Sequence, residues 1–177
     1  GILTGNAAGA ITIDTTVAST TLSSTAGNID VDETDKITLT KLSTTNGAIT
    51  GDAGGEINAT DIASGRNSAV KLSTTTGDIT AIKTISAGTG SVDLASAGAI
   101  VDDGVDTSLI TGGILTGNAA GAITIDTTVA STTLSSITVG NTNSGNKIKS
   151  GNINLIQNDT ISFIHICGQG LDTRGGH

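Results

Sequence analysis

LSTTNGAIT, residues 42–50, holds no residue of obvious chemical use, yet it keeps returning along the chain. LSSTAGNID at 22–30 and LSTTTGDIT at 72–80 share its form, and LASAGAIVD at 94–102 follows it less closely. Each runs from an apolar residue through small or hydroxylated residues to a glycine, one further residue and an isoleucine. Read as geometry, Leu42 points inward at the end of a strand, Ser43, Thr44 and Thr45 run to a corner, and Asn46-Gly47 turns it. Glycine takes positive φ at little steric cost, and asparagine tolerates the left-handed region better than most residues. Ile49 then points inward on the next strand. The stretch recurs because the chain turns the same corner repeatedly.

Repetition appears at two scales. GILTGNAAGAITIDTTVASTTLSS fills 1–24 and returns unchanged at 113–136, so that Gly113 repeats Gly1 and Ser136 repeats Ser24. Identity over so long a stretch points to duplication within a tandem array. The finer marker is a glycine, a small or polar residue and an isoleucine: Gly9, Gly27, Gly47, Gly77, Gly98, Gly121 and Gly151 each begin one. The intervals between them are uneven, longest from Gly47 to Gly77 and from Gly121 to Gly151, and the five from Gly9 to Gly121 together span one long unit. This predicts five coils per long unit, each of about 22 residues, a period in the range of solenoid repeats. The two longer intervals need extra chain, which ATDIASGRNS, residues 59–68, supplies to the first as a loop.

Around the markers the hydrophobic period is two, as in Ile11-Thr12-Ile13, Ile29-Asp30-Val31, Ile37-Thr38-Leu39 and Val92-Asp93-Leu94. Such alternation puts aliphatic side chains on one face of a strand and polar ones on the other. Helices are disfavoured by the richness in Thr, Val, Ile and Gly and by frequent turn-formers. The predicted fold is all-β: a right-handed parallel β-helix, or β-solenoid, with about 18–30 residues per coil. Stacked coils lie about 4.8 Å apart, and parallel crossovers are overwhelmingly right-handed. Eight or so coils make a rod of roughly 40 Å at that rise. Repeats occupy 1–160 and an atypical cap or tail occupies 161–177. Short alternating strands also suit the alternative, an antiparallel β-sandwich.

Composition narrows the function classes. Pro, Met, Trp and Tyr are absent, and Phe163 is the sole aromatic. Hydrophobic residues still make up 36% of the chain at regular intervals, which argues for a core rather than disorder. Sixteen acidic against eight basic side chains give a formal charge of −8. Nucleic-acid binding needs the opposite sign, with aromatic platforms for single strands, so no such partner is expected. An acidic surface poor in aromatics suits a soluble extracellular or cell-surface protein. Cys167 is alone, so no intrachain disulfide forms. No apolar run approaches the ~18–20 residues that span a bilayer. Gly1 is not an initiator and no signal-like segment follows it, so the chain reads as a processed product or a segment of something longer.

Candidate chemistry is sparse. Asp30, Asp32, Glu33 and Asp35 cluster in IDVDETDKI, and Asp102, Asp103 and Asp106 in IVDDGVDTS. Calcium favours oxygen-rich turns of this kind. The first cluster lacks an EF-hand's glycine at loop position 6 and acid at position 12, where Asp35 and Lys41 stand. GGEINATDI, 54–62, half-matches the calcium-binding nonapeptide with no neighbouring copy. Solvated carboxylates at coil corners are the plainer reading, and no cofactor is expected. Hydrolysis needs a nucleophile with its base, or two facing carboxylates. The only histidines, His165 and His177, lie in the tail, and Asp14 and Asp126 are copies of one position. No enzyme is therefore expected. Thr38-Leu39-Thr40 and Thr74-Thr75-Thr76 have the spacing of an ice-binding row without its repetition. In the tail, His165 and Cys167 alternate onto the face of Ile161 and Phe163. Two ligands are too few for zinc, and a cap shielding the end of the stack is the simpler role.

TISAGTGSVDLASAGAIVDDGVDTSLITGGILTGNAAGAITI, 84–125, resembles the repeat regions of filamentous-haemagglutinin-like exoproteins, large bacterial adhesins and related surface proteins. The likeness lies in Gly-Ser-Val-x-Leu, a Gly-Ala-Ile step, an Asp-Asp-Gly turn and further Ala-Gly-x-Ile steps, and it extends over most of 1–160. The resemblance implies a right-handed β-helical shaft, secreted and held at the cell surface, serving adhesion, biofilm or filament formation. It brings no catalytic residue, and the family's usual amino-terminal secretion domain is not in this sequence. The expected function is a non-catalytic shaft of an extracellular adhesin or self-assembling filament. Its expected partners are head-to-tail copies or adjacent repeats, and host or matrix surface ligands. Gly1 starts at the phase of Gly113, so open strand edges are expected at that end. A calcium- or ice-binding module and a polysaccharide-active β-helix are the alternatives, the last lacking aromatic platforms for sugar.

Overall fold

Strands form where an aliphatic residue alternates with a hydroxylated or charged one, since an extended chain can then bury one side and wet the other. A computed structural model describes the backbone of residues 1–105, 108–140, 147–150, 153–157 and 163–167, with side chains for those up to 136. Along the first half run β1 (Ile2–Ala7), β2 (Ile11–Thr15), β3 (Ser19–Ser24), β4 (Ile29–Glu33), β5 (Ile37–Thr44), β6 (Ile49–Ala53), β7 (Ile57–Ala63) and β8 (Val70–Thr74). They are followed by β9 (Ile79–Ser86), β10 (Ser91–Ser96), β11 (Ile100–Asp102), β12 (Leu109–Ala119), β13 (Ile123–Gly140), β14 (Lys147–Ser150), β15 (Ile153–Gln157) and β16 (Phe163–Cys167).

The odd-numbered strands from β1 to β13 succeed one another on one face, and β2, β4, β6, β8, β10 and β12 on the other. β13 turns from one face to the other and pairs with both β11 and β12, joining the two stacks. The pairings among these strands are parallel, as in β2 with β4 and β7 with β9. The result is an all-β parallel β-solenoid of about 7 turns, with no helix among the described residues, and not a sandwich. Among the described residues, antiparallel contact is confined to β13 with β14 and an isolated bridge between Gly47 and Gly65.

Register aligns like with like. Ile29, Ile49, Val70, Val92 and Leu115 form one inward row. Ile37, Ile57, Ile79, Ile100 and Ile123 form a second, and Leu42, Ile62, Ile85 and Ile110 a third. All of them are buried. At about 1.5–3 kcal/mol for each fully buried aliphatic side chain, such rows make a core without aromatics.

Two expectations about period are corrected. Ile49 pairs with Val70 while Ile57 pairs with Ile79, so the interval from Gly47 to Gly77 is not one lengthened coil. The glycine marker has moved from one corner of the coil to the other. Ala59–Ala63 belongs to β7 rather than to an extruded loop, and the corner beyond it places Arg66 and Asn67 at φ 48° and 60°. The later interval is a single long coil, because Ile123 pairs with Ile153; Gly151 itself lies outside the described residues.

The second correction concerns the long repeat. Leu3 heads a row through Thr20, Leu39, Ala59, Ala81 and Asp102 on one face. Its copy Leu115 stands opposite Val92 on the other face. The repeat therefore carries the chain through five and a half coils rather than five, and its copies lie on opposite faces. Each copy nonetheless pairs within itself alike: Ile2 opposite Ser19 to Ala7 opposite Ser24, and Ile114 opposite Ser131 to Ala119 opposite Ser136. Thr20 and Thr132 share even a defect, a buried hydroxyl without a hydrogen-bond partner, which costs about 1–3 kcal/mol.

Candidate functional site

The recurring corner is built in layers. Ser24, Thr44, Thr74, Ser96 and Ser136, each two residues after a leucine, turn inward and are buried. Ser24 donates to the carbonyl of Gly9 at 2.7 Å, Thr44 to that of Gly27 at 2.9 Å and Ser96 to that of Gly77 at 3.0 Å. Ser136 donates to Gly121, so a hydroxyl ties each of these corners to the preceding marker glycine. Thr74 instead closes its own corner through Gly77 at 2.9 Å. On the outside, Asn28 accepts the Ala48 N–H at 2.9 Å and Asp78 the Ala99 N–H at 2.7 Å. Sequence reading passed over these inward hydroxyls; the available signal was the constant spacing from leucine to Ser or Thr.

Gly27 and Gly77 have positive φ, 144° and 87°. Gly47 does not: glycine is required there because a Cβ would lie 2.2 Å from the Gly27 carbonyl oxygen in the coil before. Gly98 and Gly121 likewise abut Gly77 and Gly98, whereas a Cβ on Gly9 meets nothing within 4 Å.

The acidic candidates do not converge. Asp30 and Asp32 point outward from β4, Asp35 is exposed at the following corner, and the inward side chain between them is Glu33. Asp102 accepts the Gly104 N–H at 2.9 Å, and Asp103 accepts the Val105 N–H at 3.0 Å and the Ser108 hydroxyl. The Ser108 hydrogen bond, then that from Val105, holds the Asp103 carboxyl below its ordinary pKa. Asp106 lies outside the described residues. Among the described residues, no three Asp, Glu, His or Cys side chains are placed to hold a metal ion. Register instead aligns Asp14, Asp32 and Asp52 along three successive coils, with Ser73 donating to Asp52 at the end.

A groove of about 520 Å³ opens at the opposite corner, lined by Val17, Glu33, Asp35, Lys36, Gly54 and Thr76 among others. Glu33, 1% exposed, accepts the Val17 N–H at 2.9 Å and the Asp35 N–H at 3.4 Å, so its carboxylate is taken up in holding the corner. A second cleft, about 430 Å³, is lined chiefly by Ala95, Ala97, Ala119, Ala120 and hydroxylated neighbours. Outer rows are chemically mixed: Thr12, Asp30, Thr50, Lys71, Asp93 and Thr116 follow one another along one of them.

β1 and β2 each have one unpaired edge, Ile2 is 80% exposed, and Ile11, Ile13 and Val17 are only partly buried against the core.

Compared with known protein families, curated proteins and solved structures, the chain matches none. Its architecture is consistent with a β-helical repeat protein.

Proposed function

We propose that the chain is a non-catalytic structural shaft, part of an extracellular adhesin or self-assembling cell-surface filament of the filamentous-haemagglutinin-like kind. The observation that carries this reading is the pair of continuous parallel stacks. Backbone hydrogen bonds in such a rod run along its axis, and each coil pairs with the one before and the one after. Load is thereby shared among many equivalent bonds, while aligned aliphatic rows keep the section from collapsing. The inward polar groups support the same reading, since Glu33 and the corner hydroxyls serve the chain's own backbone rather than a ligand. The acidic exterior keeps rods apart laterally. Head-to-tail copies or adjacent repeats would extend the same coil-to-coil pairing, and the mixed outer rows offer contact to host or matrix ligands.

Electron microscopy of the purified chain tests this. Filaments with a layer line near ~4.8 Å along their axis are expected. Isolated short particles at every concentration would overturn self-assembly.

A further inference from the structure

Corner asparagines and aspartates of the solenoid direct their side chains to the neighbouring coil. Asn28 accepts the Ala48 N–H at 2.9 Å, Asp78 the Ala99 N–H at 2.7 Å and Asn67 the Thr89 N–H at 3.0 Å. Asn46 differs: it is exposed, and its carboxamide has no hydrogen-bond partner in the chain. Backbone conformation does not call for asparagine there either. Positive φ among the described non-glycine residues is confined to Arg66 and Asn67, and Ala26 holds the same place one coil earlier. The next residue is glycine, and Asn46-Gly47 is the one Asn-Gly step in the sequence. Asp103-Gly104, the one Asp-Gly step, has its carboxylate engaged by the Val105 N–H and the Ser108 hydroxyl.

We infer that Asn46 is a self-modification site, at which the chain converts its own asparagine to aspartyl and isoaspartyl products. The Gly47 amide nitrogen, with no Cβ beside it to block the approach, attacks the Asn46 Cγ. The new N–C bond closes a succinimide, and the carboxamide nitrogen leaves as ammonia, carrying the proton given up by Gly47. Water then opens the ring at either carbonyl. One opening gives aspartate; the other gives isoaspartate, in which the main chain runs through Cβ and Cγ. The site lies where two coils meet closely. The Asn46 carbonyl accepts the Gly27 N–H at 2.8 Å, and the Asn46 N–H donates to the Thr44 hydroxyl at 3.2 Å. A Cβ on Gly47 would stand 2.2 Å from the Gly27 oxygen. In the isoaspartyl product the carbonyl that received Gly27 becomes a pendant carboxylate and the corner gains a main-chain carbon. Gly47 then cannot keep its place against Gly27, and the contact between these two coils loosens.

The test ages the full chain at mildly alkaline pH beside an Asn46→Ala chain, which copies Ala26. Peptide mapping by mass spectrometry should show amide-to-acid conversion at Asn46 ahead of Asn28 and Asn67, and faster as the pH rises, because the attacking nitrogen must give up its proton. Isoaspartate methyltransferase with a labelled methyl donor should label the aged parent more strongly than the aged Asn46→Ala chain. The urea midpoint of the parent should fall with age further than that of Asn46→Ala. Conversion at Asn46 no faster than at Asn28, or equal labelling of the two chains, overturns the assignment of the site. Conversion that leaves the urea midpoint in place overturns the loosening of the corner.

Discussion

At Gly47, the reason for the residue lies in a different part of the sequence. Asn-Gly suggests a positive φ, but the constraint is the Gly27 carbonyl, 2.2 Å from where a Cβ would sit. Gly47→Ala must push two coils apart and should lower stability by about 1–3 kcal/mol in urea denaturation. Gly9→Ala, with nothing within 4 Å, should fall within about 0.5 kcal/mol of the parent chain. Equal losses at both would refute the close-approach account. The need for glycine was legible in the repeating marker; its cause was not, because a local pattern cannot report a carbonyl that belongs to the preceding coil. Thr44 is similar, its inward turn explained only by the Gly27 oxygen that receives its hydroxyl.

Among the strands, alternation was sufficient to show their existence and inward faces, but not their neighbours. IDVDETDKI reads as one local acidic cluster, yet Asp32 lies in register with Asp14 and Asp52 on adjacent coils. Like charges set directly across a pair of strands are unfavourable, by roughly 0.2–1 kcal/mol. Asp32→Asn should therefore raise the urea midpoint at low ionic strength. The gain should shrink in about 1 M salt, where the screening length falls to ~3 Å. A stabilisation unchanged by salt would mean that packing, not charge, is responsible. The row was legible only by aligning the coils on their marker glycines: Asp14, Asp32 and Asp52 each stand five residues after Gly9, Gly27 and Gly47.

Across the whole molecule, stability should differ between strands paired on both sides and strands paired on one. In dilute solution, hydrogen exchange should be fastest at the amides of β1 and β2 and slowest in β6 to β8, which are covered on both sides. Uniform protection would show that the solenoid opens as a single unit. The solenoid class was legible because period-two alternation and recurring corners agree, and the stacking of identical residue types follows from them. Phase was not legible: the Gly-x-Ile marker serves both corners of a coil, so counting markers undercounts half-turns. Stated as symmetry, the step between the two identical segments is screw-like, an advance along the axis joined to a change of side. Thr4 and Thr116, one position in the repeat, thus project from opposite faces. An array extended by that operation has neither front nor back: any group encoded once per unit decorates both sides alternately, and the true translational period is two units, not one.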